Sequence, residues 1–96
     1  MKVSEVTPHD LMEYAREYND DPEVIRQFEQ NLKVGKAFIK AYTGLTDEQM
    51  DEKEDLVIVL KVLSNEMYDN RTFTVEVDKL NPFVKIILDM HSVNFL

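Results

Sequence analysis

Residues 21–44 read DPEVIRQFEQNLKVGKAFIKAYTG, and the reading of this stretch decides the fold. Asp21-Pro22 is a helix start: the carboxylate accepts a free backbone N–H, and proline's fixed φ suits the first helical position. Gly44 is the stop, because glycine readily takes the left-handed conformation that closes a helix. Between them Val24, Ile25, Phe28, Leu32, Phe38, Ile39 and Tyr42 fall in one broad stripe at helical spacing. One long amphipathic helix therefore spans Pro22 to Thr43. Gly35 sits near the middle of its stripe, where glycine costs about 1 kcal/mol of helix propensity. The missing side chain lets another helix approach closely, so a tight crossing is expected at Gly35.

Working outward, Thr7-Pro8 with Asp10 opens an earlier helix carrying Leu11, Tyr14, Ala15 and Tyr18, which Asn19-Asp20-Asp21 breaks. Downstream, Thr46-Asp47-Glu48-Gln49 is a capping box that opens either a short turn or the third helix itself. That third helix holds Asp55 to Tyr68. Leu56, Leu60, Leu63 and Met67 form its main stripe, while Val57, Ile58, Val59 and Val62 lie on other faces. A helix apolar nearly all round is buried on several sides. Its β-branched residues also suit a strand, but the polar flanks favour the helix. At residues 72–77 the period changes to two, with Phe73, Val75 and Val77 alternating with Thr74 and Glu76, the signature of a half-buried strand. Asn81-Pro82 then starts a last helix with Phe83, Ile86, Ile87 and Met90 on one face, and Val93, Phe95 and Leu96 make an apolar tail. The expectation is a single all-α domain over residues 1–96, with about four helices and an extended or β-like arm at 70–80 before the last one.

Composition bounds the function. The 96 residues hold 19 acids against 11 bases, a net charge of −8, with 14 acids and 7 bases in residues 1–55 and 5 acids and 4 bases in residues 56–96. This balance disfavours tight non-specific nucleic-acid binding, which needs clustered cations. There is no cysteine, so disulfides and thiolate metal sites are excluded, which suits a reducing compartment. The amino-terminal residues lack the apolar stretch of a signal peptide. The longest apolar run, Leu56 to Leu60, falls far short of the ~20 residues a bilayer requires, so no membrane partner is expected.

Residues that carry chemistry are sparse. His9 and His91 stand at opposite ends of the chain and form no metal-ligand spacing. The acidic run Asp47, Glu48, Asp51, Glu52, Glu54 and Asp55 has neither the register nor the glycine of a calcium loop, and reads as a solvated, helix-initiating segment. Ser4, Ser64 and Ser92 lack a nucleophile elbow. The expectation is a protein without cofactor, metal or catalysis. Two features invite partners. Arg26, Lys33, Lys36 and Lys40 lie opposite the long helix's apolar stripe, either as a basic strip for phosphates or an acidic partner, or as a solvated face interrupted by Glu29. The Phe73–Val77 segment is either an exposed edge that adds to a neighbour by β-augmentation or an irregular loop on its own core.

The order of these motifs resembles a known family. A short helix precedes a long one ending in Lys36-Ala37-Phe38-Ile39-Lys40-Ala41-Tyr42-Thr43-Gly44; an acidic linker leads to an apolar helix closing on Tyr68-Asp69-Asn70-Arg71; and after a variable arm Asn81-Pro82-Phe83-Val84 opens the last helix. This pattern is similar to the small head–tail connector, or DNA-packaging adaptor, proteins of tailed bacteriophages and prophages. The resemblance implies a subunit that forms a homo-oligomeric ring below the portal protein and contacts tail-side connector proteins. The ring would extend a channel through which DNA passes without sequence-specific binding. Such a protein would be assembled in the bacterial cytoplasm and reside in the virion. In that setting Phe73, Val75 and Val77 would bridge subunits, and Arg71 would anchor the arm's base through a charge-assisted hydrogen bond to a carboxylate. The alternative from another class is a small acidic regulatory or adaptor domain that binds one protein partner by its helices. A helix-turn-helix DNA reader fits least, because the best basic strip contains Glu29.

Overall fold

The structure, a computed structural model, describes residues 1–93, in which five α-helices and two short 3₁₀ turns make an all-α fold. The helices are α1 (Pro8–Tyr14), α2 (Pro22–Thr43), α3 (Asp47–Asp51), α4 (Asp55–Asp69) and α5 (Pro82–His91); the turns are Val3–Glu5 and Val77–Lys79. Phe95 and Leu96 of the expected apolar tail lie outside the described residues.

α2 has the ends read from its caps. The Asp21 carboxylate accepts the Glu23 N–H at 2.9 Å, and Gly44, at φ 74°, donates its N–H to the Lys40 carbonyl at 2.9 Å. α4 crosses α2 antiparallel, as three contacts spaced about one turn apart show. The rings of Phe28 and Tyr68 lie 4.6 Å apart, the Asn31 amide donates to the Ser64 carbonyl at 3.3 Å, and Gly35 faces Leu60. A Cβ built on Gly35 would stand 2.6 Å from Leu60 Cδ1. The tight crossing expected at Gly35 is therefore the α2–α4 contact.

α4 is the centre of the core. Leu56, Val57, Val59, Leu60, Leu63 and Met67 are buried, and Ile58 and Val62 pack half-buried against the same cluster. Its cover comes from α2, α1, α5 and the first turn of its own chain. The burial on several sides expected of the third helix is thus supplied by several neighbours within one molecule.

Other expectations change in detail. The capping box at Thr46 opens a separate five-residue helix, α3, with Gln49 N–H bonded to the Thr46 hydroxyl at 3.2 Å. α1 ends at Tyr14, a turn before Tyr18. Glu17 N–H bonds Met12 C=O and Arg16 N–H bonds Glu13 C=O, a Schellman closure with Arg16 left-handed at φ 57°. α4 ends the same way, with Thr72 N–H on Met67 C=O, Arg71 N–H on Tyr68 C=O, and Arg71 at φ 55°. Residues 72–76 are not a strand. The Thr72 and Thr74 hydroxyls lie 2.8 Å apart, Thr74 N–H bonds the Thr72 hydroxyl, and the chain then turns through Val77–Lys79. Local side-chain bonds of this kind compete with extended pairing.

Two outcomes are expected from these contacts. Gly35→Ala gains helix propensity but drives its methyl into fully buried Leu60, and such overpacking costs about 1–3 kcal/mol. Denaturant titration should show a net loss of stability, partly relieved on a Leu60→Val background. Arg16→Gly should instead stabilise the protein by about 1 kcal/mol, because glycine adopts the left-handed angle without the Cβ penalty.

Candidate functional site

The arm between α4 and α5 starts at the left-handed Arg71. Its guanidinium lies 5.4 Å from the centre of the Tyr68 ring and near enough to Glu17 to help lower that carboxyl's pKa, but among the described residues it makes no hydrogen bond to the carboxylate expected of it. The carboxylate of this cluster, Glu17, instead accepts the Tyr68 hydroxyl at 2.6 Å. That bond ties the segment after α1 to the end of α4.

A strand would place Phe73, Val75 and Val77 on one face. The bent arm separates them. Val75 turns inward and packs half-buried against the core, while Phe73 and Val77 stay about half exposed, at 49% and 53%. Beneath Val75 runs a groove of about 420 Å³ floored by Leu63, Met67 and Leu80. Glu66 lines it without an ion-pair partner among the described residues, and burial pushes its carboxyl above the usual range. Glu76 and Lys79, paired at 3.0 Å, stand at its rim.

A second apolar surface lies on α5. The face of Phe83, Ile86, Ile87 and Met90 is divided: Ile87 is buried together with Val84 and Leu88, whereas Phe83, Ile86 and Met90 are 59%, 59% and 69% exposed. At about 100° per residue the apolar arc from Ile86 round to Leu88 covers more than half the helix, wider than one neighbouring face can cover. The helix is tied to the rest of the chain by tertiary bonds from its flank and its end. The Tyr42 hydroxyl donates to Asp89 at 2.6 Å, His91 Nε2 lies 2.8 Å from both Asp55 oxygens, and Val93 N–H donates to the Thr43 carbonyl at 2.7 Å.

The four cations of the α2 strip do not form a free patch. Arg26 bonds Glu23 at 2.9 Å and Lys40 meets Asp47 at 3.3 Å. Lys36 lies close enough to Asp51 to help lower its pKa, and Lys33 is exposed. The acidic run does more than stay solvated. Asp51 receives both the Ser4 N–H, at 2.8 Å, and the Ser4 hydroxyl, at 2.7 Å, which fasten the amino-terminal turn to α3. His9 and Asp20 approach only to 4.0 Å on the surface. Among the described residues no cluster of three His, Cys, Asp or Glu side chains is arranged to hold a metal ion, and no helix is long and apolar enough to cross a membrane.

What the geometry offers is surface: an anchored arm with two outward apolar side chains, a groove whose Glu66 carboxylate has no ion-pair partner among the described residues, and an exposed arc on α5. The sequence pattern carried a signal for the arc, because six of the ten α5 residues from Pro82 to His91 are apolar and spread round more than one face. Comparison of the chain with protein-family models, with curated proteins and with solved structures finds no match.

Three carboxylates that tie distant segments have lowered pKa values: Glu17 chiefly through the Tyr68 hydroxyl, Asp51 through Ser4, and Asp89 through Lys85 and then Tyr42. Their stabilising contribution is present above the unfolded carboxylate value and is lost as pH falls through the lower folded values. Thermal midpoints should therefore fall as pH drops below about 4. Tyr68→Phe should lower the midpoint at neutral pH, with the gap to wild type closing in acid. Glu66 has the opposite sign, because its raised pKa opposes folding once pH exceeds the unfolded value. Glu66→Gln should raise the neutral-pH midpoint and leave the acid one unchanged.

Proposed function

We propose that this chain is a structural assembly subunit of the phage head–tail connector type, joining copies of itself into a ring below a portal and flanking the channel through which DNA passes. The observation that carries this reading is the arm. It is fixed at its base by the Schellman turn and the Arg71–Tyr68 contact, held midway by Val75, and left with Phe73 and Val77 facing solvent. A tethered segment that presents apolar side chains outward is suited to a neighbour's surface, because its ordering is already met within the subunit. The helix order and the end motifs of the sequence add the resemblance to connector proteins. A net charge of −8 suits a wall beside moving DNA, because like charge weakens phosphate contacts.

In this mechanism the helical body packs side by side, and Phe73 and Val77 of each copy seat on the next. Val75 belongs to the subunit's own groove, so it shapes the arm without making the contact. A second reading, an acidic adaptor that captures one protein segment, is favoured by the groove and its unpaired Glu66.

The test combines the protein with a portal ring and images the mixture by electron microscopy. The expected result is a ring stacked on the portal. The double variant Phe73→Asp, Val77→Asp should abolish that ring while circular dichroism keeps the wild-type helical signal, since both side chains are already exposed. A wild-type protein that leaves the portal bare, or arm variants that assemble as wild type does, would defeat the proposal. Capture of a single peptide in the groove with no self-assembly would favour the adaptor reading.

A further inference from the structure

We infer that the outer face of α5 is a self-association surface on which a second copy of this chain docks its own α5, antiparallel, about a two-fold axis. The inference stands apart from the ring reading, since it needs two copies only and does not use the arm.

The face is a stripe of Phe83, Ile86 and Met90, all more than half exposed, with Val93 beyond the helix end half exposed as well. Together they leave on the order of 400 Å² of apolar surface, the size at which the largest patch on a monomer is often functional. Charge chooses the occupant. The whole chain carries −8, yet residues 81–93 contain one acid, Asp89, and one base, Lys85, and the hollow beside Met90 and Val93 adds Glu52 and Lys53, again one of each sign. This is a stretch where a second equally acidic copy can approach without facing a block of like charge, the more so because surface charges farther apart than about 8 Å are largely screened at physiological salt.

The pattern is also self-complementary. Lys85 and Asp89 lie on one flank of the stripe, 2.8 Å apart and each about half exposed, at 52% and 50%. Antiparallel pairing about a two-fold brings the same flank of both helices together in reverse order, so residue i meets j and j meets i. A register that sets Phe83 against Met90 of the second copy also sets Lys85 beside Asp89 of the second copy, with the two Ile86 side chains at the axis. The opposite flank of α5 turns into its own core through Ile87, so a parallel pairing has no matching flank to use. The area is about half of each partner's share in a standard interface, so the dimer is expected to form and dissociate in the micromolar range.

Sedimentation velocity on the full chain, without portal, tests this across micromolar concentrations. The wild type should move from monomer to dimer as concentration rises. Ile86→Glu should raise the dissociation constant by roughly thirtyfold or more, the loss expected of a central anchor. Lys85→Glu and Asp89→Lys should each remain monomeric, one through facing carboxylates and the other through facing ammoniums. An equimolar mixture of those two variants should associate again. Circular dichroism checks that Asp89→Lys, which loses the Tyr42 bond, keeps its helices. A wild type that stays monomeric throughout, an Ile86→Glu chain that dimerises normally, or charge variants that fail to pair when mixed would overturn the inference. If association is lost in Phe73→Asp, Val77→Asp but not in Ile86→Glu, the two-fold pairing fails and the ring reading stands.

Discussion

The rest of this structure depends on the approach of α4 to α2 at Gly35. With no side chain on one helix, Leu60 of the other lies where a Cβ would be, and the two axes come together. The contact sets how deep Phe28, Ile39, Leu56 and Leu63 sit. About one turn away Asn31 and Ser64 set the register. The Asn31 amide donates to the Ser64 carbonyl, but the Asn31 Oδ1 and the Ser64 Oγ are buried without a partner among the described residues. Unmet buried polar atoms cost stability. A slip of one turn would strand the amide as well and would carry Leu60 off Gly35. The polar pair therefore weakens the core slightly while separating the native pairing of the two helices from its neighbours.

The parts legible in the sequence are those whose determinants are local. Both ends of α2 were readable because Asp21, Pro22 and Gly44 act on their own backbone. Gly35 was readable because a glycine inside an apolar stripe has few other uses. The ends of α1 and α4 were less so, since arginine, not glycine, occupies the left-handed position at residues 16 and 71. Nothing in an arginine announces a Schellman turn. The arm misled for a related reason. Its alternation of Phe73, Val75 and Val77 is genuine, but alternation gives a common face only while the backbone stays extended, and the Thr72–Thr74 bond and the turn at Val77 bend it. So the alternation was legible, and which of its side chains face solvent, Phe73 and Val77 but not Val75, was not. On α5 the periodicity fixed the angular positions of the apolar residues without telling which part of a wide arc the fold would cover.

The acidic run shows how composition and tertiary structure diverge. As composition it reads as a solvated segment. In the fold Asp47 meets Lys40, Asp51 holds Ser4 and Asp55 holds His91, so one short stretch fastens α2, the amino-terminal turn and α5. None of these ties is buried enough to outweigh the core, since exposed pairs contribute little individually. Their role is orientational: they fix small elements that have few apolar contacts of their own.

The same division of labour explains how a chain of this size keeps apolar surface in water. Charge is concentrated in residues 1–55, where it faces solvent or ties down short elements and where the exposed large apolar side chains are Met1, Tyr14 and Tyr18, while the arm and the outer face of α5 fall in the nearly neutral remainder. A protein with its repulsion and its adhesion mixed over the whole surface would either aggregate or stay monomeric. With the two largely segregated, as the proposals require, repulsion between acidic regions would disfavour most encounters and leave the approaches that bring neutral apolar faces together. In the two assemblies proposed above these surfaces would take different geometries, because the arm and α5 carry different side chains and only α5 has a flank that matches itself in reverse: a head-to-tail contact for the arm and a two-fold contact for the helix.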